Sequence, residues 1–224
     1  MERHFHEELK ELKQKLLKMG FLVEAAIEKA VDALLNRNSQ FAKQVIEEEK
    51  IINQLEIEID DKGHSLSALR QPMAVDLRIL TAVLKMNTDL ERMGDHAVNI
   101  AERTLTLLKE PPLEKDLRLE EMSKAALRMV TDALNSFIRE DVELARSVLQ
   151  CDDEVDAFND DLYFQVTLSM QKKPSLIRAG INLIMIGHNL ERIADLANNI
   201  AEDVVYMKQG KEVRHHVETA KRNS

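Results

Sequence analysis

The chain has 224 residues, of which 44% are apolar and 32% charged, with no tryptophan and a formal net charge of −9. That length can bury one large core or two small ones, and scarce Gly and Pro beside abundant Leu, Ala, Glu, Lys and Ile is the composition of long helices, an all-α chain. The acidic balance argues against nucleic acid and gives no basic stripe for an anionic membrane, while a single cysteine, Cys151, excludes an intrachain disulfide or a thiolate metal cage and fits a reducing cytoplasm.

In chain order, MERHFHEELKELKQKL lacks the apolar core of a signal peptide. Leu9, Leu12, Leu16, Val23, Ile27, Val31 and Leu34 recur at helical spacing and predict a first helix from about His4 to Leu35. Asn38 is placed as the N-cap of a second helix striped by Val45, Ile52, Leu55 and Ile59. A break from Gly63 to Pro72 precedes a third helix, from about Met73 to Lys109, which Glu110-Pro111-Pro112 ends because proline pushes the preceding residue out of the α region. A shift of 103 residues then carries Ala30, Leu34, Asn38, Ala42, Val45, Ile52 and Leu55 onto Ala133, Phe137, Asp141, Ala145, Val148, Val155 and Phe158. A shift of 100 carries the third helix onto the last, with a proline kept ahead of it as Pro174. The longest apolar run, Ile181 to Ile186, is too short to span a bilayer. The expectation is two tandem three-helix bundles, residues 1–110 and 111–210, with six long antiparallel helices, then a polar tail, 211–224.

The repeat is closest in LERMGDHAVNIAE, Leu90 to Glu102, and LERIADLANNIAE, Leu190 to Glu202. A core would need only its apolar pattern kept. Here the polar letters are kept: Glu91, Asp95, Asn99 and Glu102 return as Glu191, Asp195, Asn199 and Glu202. At about 100° per residue each set lies within a sector of roughly 80°, an oxygen row whose carboxylates repel. No Lys or Arg lies inside either row. The second helices carry matching i, i+4 pairs, Glu49/Asn53 and Asp152/Asp156. Packed side by side, the rows would gather about six oxygen donors in each half, the preference of hard cations such as magnesium, manganese or iron. The alternative is a solvated face. A third row, Glu24, Glu28 and Asp32, supplies the contrast, because its counterparts are Leu127, Thr131 and Asn135.

His96 and His188 have Leu196 and Thr88 as counterparts, so both are taken as ordinary half-buried or surface histidines, and His4, His6, His215 and His216 lie near the termini. Arg92 and Arg192 are repeated, which fits either a salt bridge to a neighbouring helix or contact with an anion. No nucleophile with its base and no phosphate loop is present. A di-iron enzyme needs two Glu-x-x-His motifs inside helices, and the chain has only Glu212-x-x-His215, in the tail. The reading is a protein without catalytic activity.

With RQPMAVDLR, the two thirteen-residue phrases, the extension DVVYMKQGKEVRH and DDEVDAFNDDL, the sequence resembles the PhoU family over nearly all its length. The resemblance implies two three-helix repeats in a cytoplasmic, often dimeric protein, with multinuclear metal clusters on E/D-x-x-x-D pairs. It also implies a regulator that couples a phosphate ABC transporter ATPase to a sensor histidine kinase and keeps the starvation response off when phosphate is plentiful, with no nucleic acid and no direct membrane insertion. The family's pairs fall on Glu91/Asp95, Glu191/Asp195, Asp152/Asp156 and, imperfectly, Glu49/Asn53. Asn53 is neutral and a weaker ligand than a carboxylate, so the first half is expected to hold iron, manganese or magnesium less tightly. A carboxylate-bridged storage or redox protein is the alternative function, and a passive bundle a third.

Overall fold

The computed structural model describes residues 2–70, 72–111 and 117–211. Among these, every regular element is helical: α1 (Glu2–Leu35), α2 (Ser39–Arg70), α3 (Ala74–Leu107), α4 (Leu119–Arg139), α5 (Val142–Val148), α6 (Asp152–Lys172), a short 3₁₀ turn (Pro174–Leu176) and α7 (Ile177–Gln209). The tail beyond Lys211, with Glu212, His215 and His216, and the second residue of the Pro-Pro pair lie outside the described residues.

The repeated caps take the same form in both halves. Asn38 Oδ1 accepts the backbone N–H groups of Gln40 (3.0 Å) and Phe41 (3.3 Å), and Asp141 Oδ1 accepts those of Glu143 (3.0 Å) and Leu144 (3.1 Å). Just before each cap stands a non-glycine residue at positive φ, Arg37 (50°) and Glu140 (52°), related by the 103-residue shift. Arg37 donates to the carbonyls of Leu107 and Leu108 at the end of α3, both at 3.3 Å. Glu140 instead accepts from Lys208 (2.7 Å) near the end of α7 and from Lys13 (3.2 Å) of α1. Each half thus ties the end of its first helix to the end of its last.

Two expected boundaries move. Instead of breaking at Gly63, α2 runs on to Arg70. Gly63 has a packing reason: a Cβ there would stand 2.4 Å from Leu84 Cδ2, so the missing side chain is what lets α2 and α3 approach. In the second half, the single second helix is interrupted between α5 and α6 at Leu149–Cys151, where the N–H of Cys151 reaches back to the Val148 carbonyl at 2.9 Å in a tightened turn. The interruption has an electrostatic reason, because Asp152, Asp153 and Glu154 occupy the first turn of α6, where the positive end of the helix dipole favours carboxylates. The corresponding stretch of α2, residues 46–48, is continuous helix.

α1, α2 and α3 pack on one another, α4 to α7 form the second unit, and α3 lies along α7 at the join, with α1 touching α4 behind them. α3 and α7 run antiparallel, since Lys85 pairs with Asp203 (3.3 Å) and Arg103 donates to Asn182 Oδ1 (3.3 Å). Between those contacts, His96 Nδ1 lies 2.8 Å from Asn189 Oδ1, while the Asn189 amide donates to the Met185 carbonyl (2.6 Å). His96 is therefore half-buried and used structurally, and one continuous apolar core serves both units.

Candidate metal sites

The rows face outward because their neighbours face inward. Leu90, Met93, Ala97 and Ile100 on α3, and Leu190, Ile193, Ala197 and Ile200 on α7, are fully buried. Val45, Ile52 and Ile59 on α2 and Val155, Leu162 and Val166 on α6 are buried too, which turns the second-helix pairs toward the rows of α3 and α7.

In the first half, Glu49 of α2 shares a hydrogen bond with Asp95 of α3. Burial, then that bond and the Asp95 charge, push the Glu49 carboxyl above its ordinary range, with Glu102 adding to the effect and a hydrogen bond from Asn53 opposing it. Glu91 is raised by burial and then by Asp95, Glu56 and Glu49, with Arg92 easing it. Glu56, one turn beyond Asn53, is raised by burial and by Asp60. Asn99 and Glu102 lie exposed farther along the row.

In the second half, burial and then Asp195 raise the Asp152 carboxyl, eased by a hydrogen bond with Asn198. Asp156 is raised by burial and by Asp152, Glu191 and Asp195. The Asn159 amide donates to Glu191 Oε2 at 2.5 Å, and His188 Nδ1 lies 3.4 Å from the same oxygen. Arg192 Nη1 donates to Asp195 Oδ2 at 2.6 Å. Asp152, Asp195, Asn198, Asn199 and Glu202 line an open cavity of about 650 Å³ together with Lys85, Asp89 and Asp203.

Both halves thus bring the second-helix pair up to the row. Their oxygen-only donor sets fit a hard cation, and two observations support the fit. Asn53 Oδ1 and Asp152 Oδ1, one beside each row, are buried acceptors with no hydrogen-bond partner, a rare condition that asks for an explanation. The raised carboxyls are charges whose ionised form a cation would favour. Among the described residues, no three His, Cys, Asp or Glu side chains are grouped as they would be around one ion.

Three expectations change. Arg192 lies outside the 80° sector yet its side chain reaches Asp195, so the second row does have a compensating cation, and it comes from the row's own helix rather than a neighbouring one. The contrasting row on α1 is not simply solvated, since Glu24 accepts a hydrogen bond from Thr131 of α4. Sequence reasoning also missed Glu56, Asn159 and Asn198. The first two were detectable, because the 103-residue shift carries Glu49-Asn53-Glu56 onto Asp152-Asp156-Asn159, two acids and one amide in each half. Asn53 is therefore offset by Glu56.

The PhoU domain family matches residues 16–104 and 119–204, one segment on α1–α3 and one on α4–α7. The chain belongs to the PhoU family. A curated relative from Aquifex aeolicus, a phosphate-specific transport system accessory protein PhoU homolog, is 39% identical over 208 residues, covering 93% of this chain and 94% of the relative. The crystal structure of PhoU from Pseudomonas aeruginosa superposes with a TM-score of 0.90 at 38% identity, covering 92% of this chain and 100% of that one. The phosphate transport system regulatory protein PhoU from Streptococcus pneumoniae gives 0.86 at 34% identity, covering 93% and 99%. The repeated helical architecture is thus that of PhoU proteins. No described helix is long and apolar enough to cross a membrane.

Proposed function

We propose that this PhoU-family chain is a cytoplasmic, non-enzymatic regulator of phosphate uptake and phosphate-starvation signalling, acting as a homodimer between a phosphate ABC transporter ATPase and a sensor histidine kinase. The names of its relatives, accessory and regulatory proteins of phosphate transport, support the phosphate role. The observation that carries the metal-dependent part is the pair of carboxylate sites in matched register, with carboxyls raised by burial and by one another and a buried oxygen without a partner in each.

Glu49, Asn53, Glu56, Glu91 and Asp95 would hold metal in the first half, and Asp152, Asp156, Glu191, Asp195 and Asn198 in the second, with Asn99, Glu102, Asn199 and Glu202 extending the rows. A bound ion, iron, manganese or magnesium, supplies positive charge between carboxylates that otherwise repel. The side chains come from two helices in each half, so they join α2 to α3 and α6 to α7, and loading a site stiffens the outward face on which partners dock.

Elemental analysis of protein purified without chelator tests the metal reading. Asp95→Asn with Asp195→Asn should lower the metal content, whereas Glu28→Gln with Asp32→Asn, on the exposed unrepeated row, should not. Equal metal in all three proteins, or none in any and no shift in melting temperature on adding Mn²⁺, Mg²⁺ or iron, would refute it. The partner reading is tested by pull-down from membranes of phosphate-fed cells, which should recover the transporter ATPase or the kinase. Recovery of neither, with the bait folded and abundant, would count against it.

A further inference from the structure

We propose that the distal part of the α6–α7 hairpin is a contact surface for an anionic lipid bilayer. The chain has 40 acidic residues, yet none falls between Asp161 and Glu191, a stretch that carries Lys172, Lys173 and Arg178. All three cations are exposed. Arg178 pairs with Glu110 (3.1 Å), and Lys172 and Lys173 have no ion pair among the described residues. The same segment exposes four large apolar side chains, Tyr163 (57%), Phe164 (58%), Ile177 (46%) and Ile181 (51%). On α6, Phe164 lies opposite the buried line of Val155, Leu162 and Val166, with Tyr163 about 100° from Phe164 on the flank. On α7, Ile177 and Ile181 continue toward the hairpin end the line that holds Glu191 and Asp195 farther along. One end of the hairpin is therefore acidic and the other basic and apolar.

Local charge selects an anionic occupant, and exposed rings and branched aliphatics beside lysines are the chemistry of a bilayer interface. The first half favours a lipid surface over a shaped protein partner. No acid falls between Asp61 and Asp76, although Lys62 in that stretch is paired with Glu8 (3.2 Å). Leu69 and Met73 on either side of the α2–α3 connection are exposed at 78% and 79%, with Val75 and Leu77 beyond. What recurs is exposed apolar area at the end of the hairpin, beside a stretch without acids. Residue identity is lost: the counterparts of Tyr163 and Phe164 under the 103-residue shift are Asp60 and Asp61. A protein pocket reads particular shapes, whereas a fluid surface needs only charge and apolar area. The chain's acidic total is no obstacle, because charges more than about 8–10 Å apart in solvent are largely screened at physiological salt.

The test is co-sedimentation of the full chain with vesicles of phosphatidylglycerol and phosphatidylcholine in equal parts, and with pure phosphatidylcholine vesicles, beside sedimentation velocity without lipid. The expected result is binding to the anionic vesicles only, weakened about thirtyfold by Lys172→Gln with Lys173→Gln and weakened separately by Phe164→Ser with Ile177→Ser. All these positions are exposed, so unchanged helicity and melting will show the variants are folded. Metal loading does not enter, so this outcome stands apart from that of the metal-site test. No binding to either vesicle, or binding that both variants retain, overturns the proposal. A dimer that Phe164→Ser with Ile177→Ser converts to monomer overturns it in favour of a second copy, and binding to native membranes but not to lipid vesicles overturns it in favour of a membrane protein.

Discussion

The two carboxylate sites come from one repeated design and differ in how much of their charge is already engaged. In the first half, Glu49 sits inside a continuous helix and shares a hydrogen bond with Asp95, while Glu56 and Asp60 extend the acids along α2. In the second, Asp152 opens a new helix, Asn159 donates to Glu191 and Arg192 to Asp195. Three of the four central carboxylates there already have a donor, because Asn198 also hydrogen-bonds Asp152. Counting only the i, i+4 pairs makes Asn53 the weak point and the first half the poorer site. With Glu56 and Asn159 included the two halves have equal acids and amides, and the fewer donors on the first half's carboxylates argue that it has more to gain from a cation.

The sharpest way to break this comparison is to remove the sites one at a time. Glu91→Gln with Asp95→Asn and Glu191→Gln with Asp195→Asn should each remove one half's metal and leave the other's, as read by elemental analysis. At about 100 times its dissociation constant a ligand adds roughly 2.7 kcal/mol for a site, so each variant should lose about that much of the metal-induced stabilisation in chemical denaturation. Among single variants, Asp95→Asn should cost more affinity than Asp195→Asn. The reverse order would return the weakness to Asn53.

Next in size is the packing that brings α6 to α7. A Cβ at Gly187 would stand 2.4 Å from Leu162 Cδ2 and 2.8 Å from Asn159 Oδ1, the residue that holds Glu191. Gly187→Ala should destabilise the fold by about 1–3 kcal/mol and reduce metal in the second half alone. Gly63→Ala should cost a similar amount against Leu84. Because Gly63 lies about two turns beyond Glu56 on α2, past the last ligand of that helix, first-half metal should be largely kept. Both costs are read in urea.

Much of this was legible in the sequence, and the parts that were not share a physical cause. The 103- and 100-residue shifts located both caps, both rows and the second-helix pairs because those features depend on periodicity along one helix. Gly63 reads as a break in the sequence because its reason, Leu84, lies on another helix. The Arg192–Asp195 pair was missed because a long side chain can reach a neighbour that a sector drawn at the helix surface leaves outside. The basic, apolar end of α6–α7 was hidden by a whole-chain charge of −9, an average over faces of opposite character.

Acidity should separate the sites from the ion pairs elsewhere. Glu49, Glu56, Glu91, Asp152 and Asp156 have raised folded-state affinities for protons. Over the pH range just above ordinary carboxylate titration, the folded chain therefore binds more protons than the unfolded one, and lowering the pH through that range stabilises metal-free protein. Glu140, lowered by its hydrogen bonds from Lys208 and Lys13, has the opposite sign, and its contribution is lost at lower pH. The melting temperature of chelated protein should rise modestly from neutral pH to mild acid and then fall. Glu91→Gln should flatten the rise and leave the fall, and a monotonic decline in the wild type would contradict the assignment. Added metal should reverse the first trend, because protons and cations compete for the same oxygens.

The smallest expected effect isolates Arg192. Removing a positive charge near either site should favour a cation there, so Arg92→Gln and Arg192→Gln share a long-range component that salt screens. Only Arg192 also holds a carboxylate oxygen directly, at 2.6 Å, and a metal at Asp195 must displace it. Exposed pairs of this kind are worth about 0.3–0.5 kcal/mol, so Arg192→Gln should tighten second-half metal binding by about twofold beyond what Arg92→Gln does for the first half. Titrating both variants at low and high salt separates the two components: the long-range part shrinks in both, and the excess at the second site persists. Equal gains at both sites would mean that Arg192 does not hold Asp195 in solution, and the difference between the halves would then rest on the Asn159–Glu191 and Asn198–Asp152 hydrogen bonds.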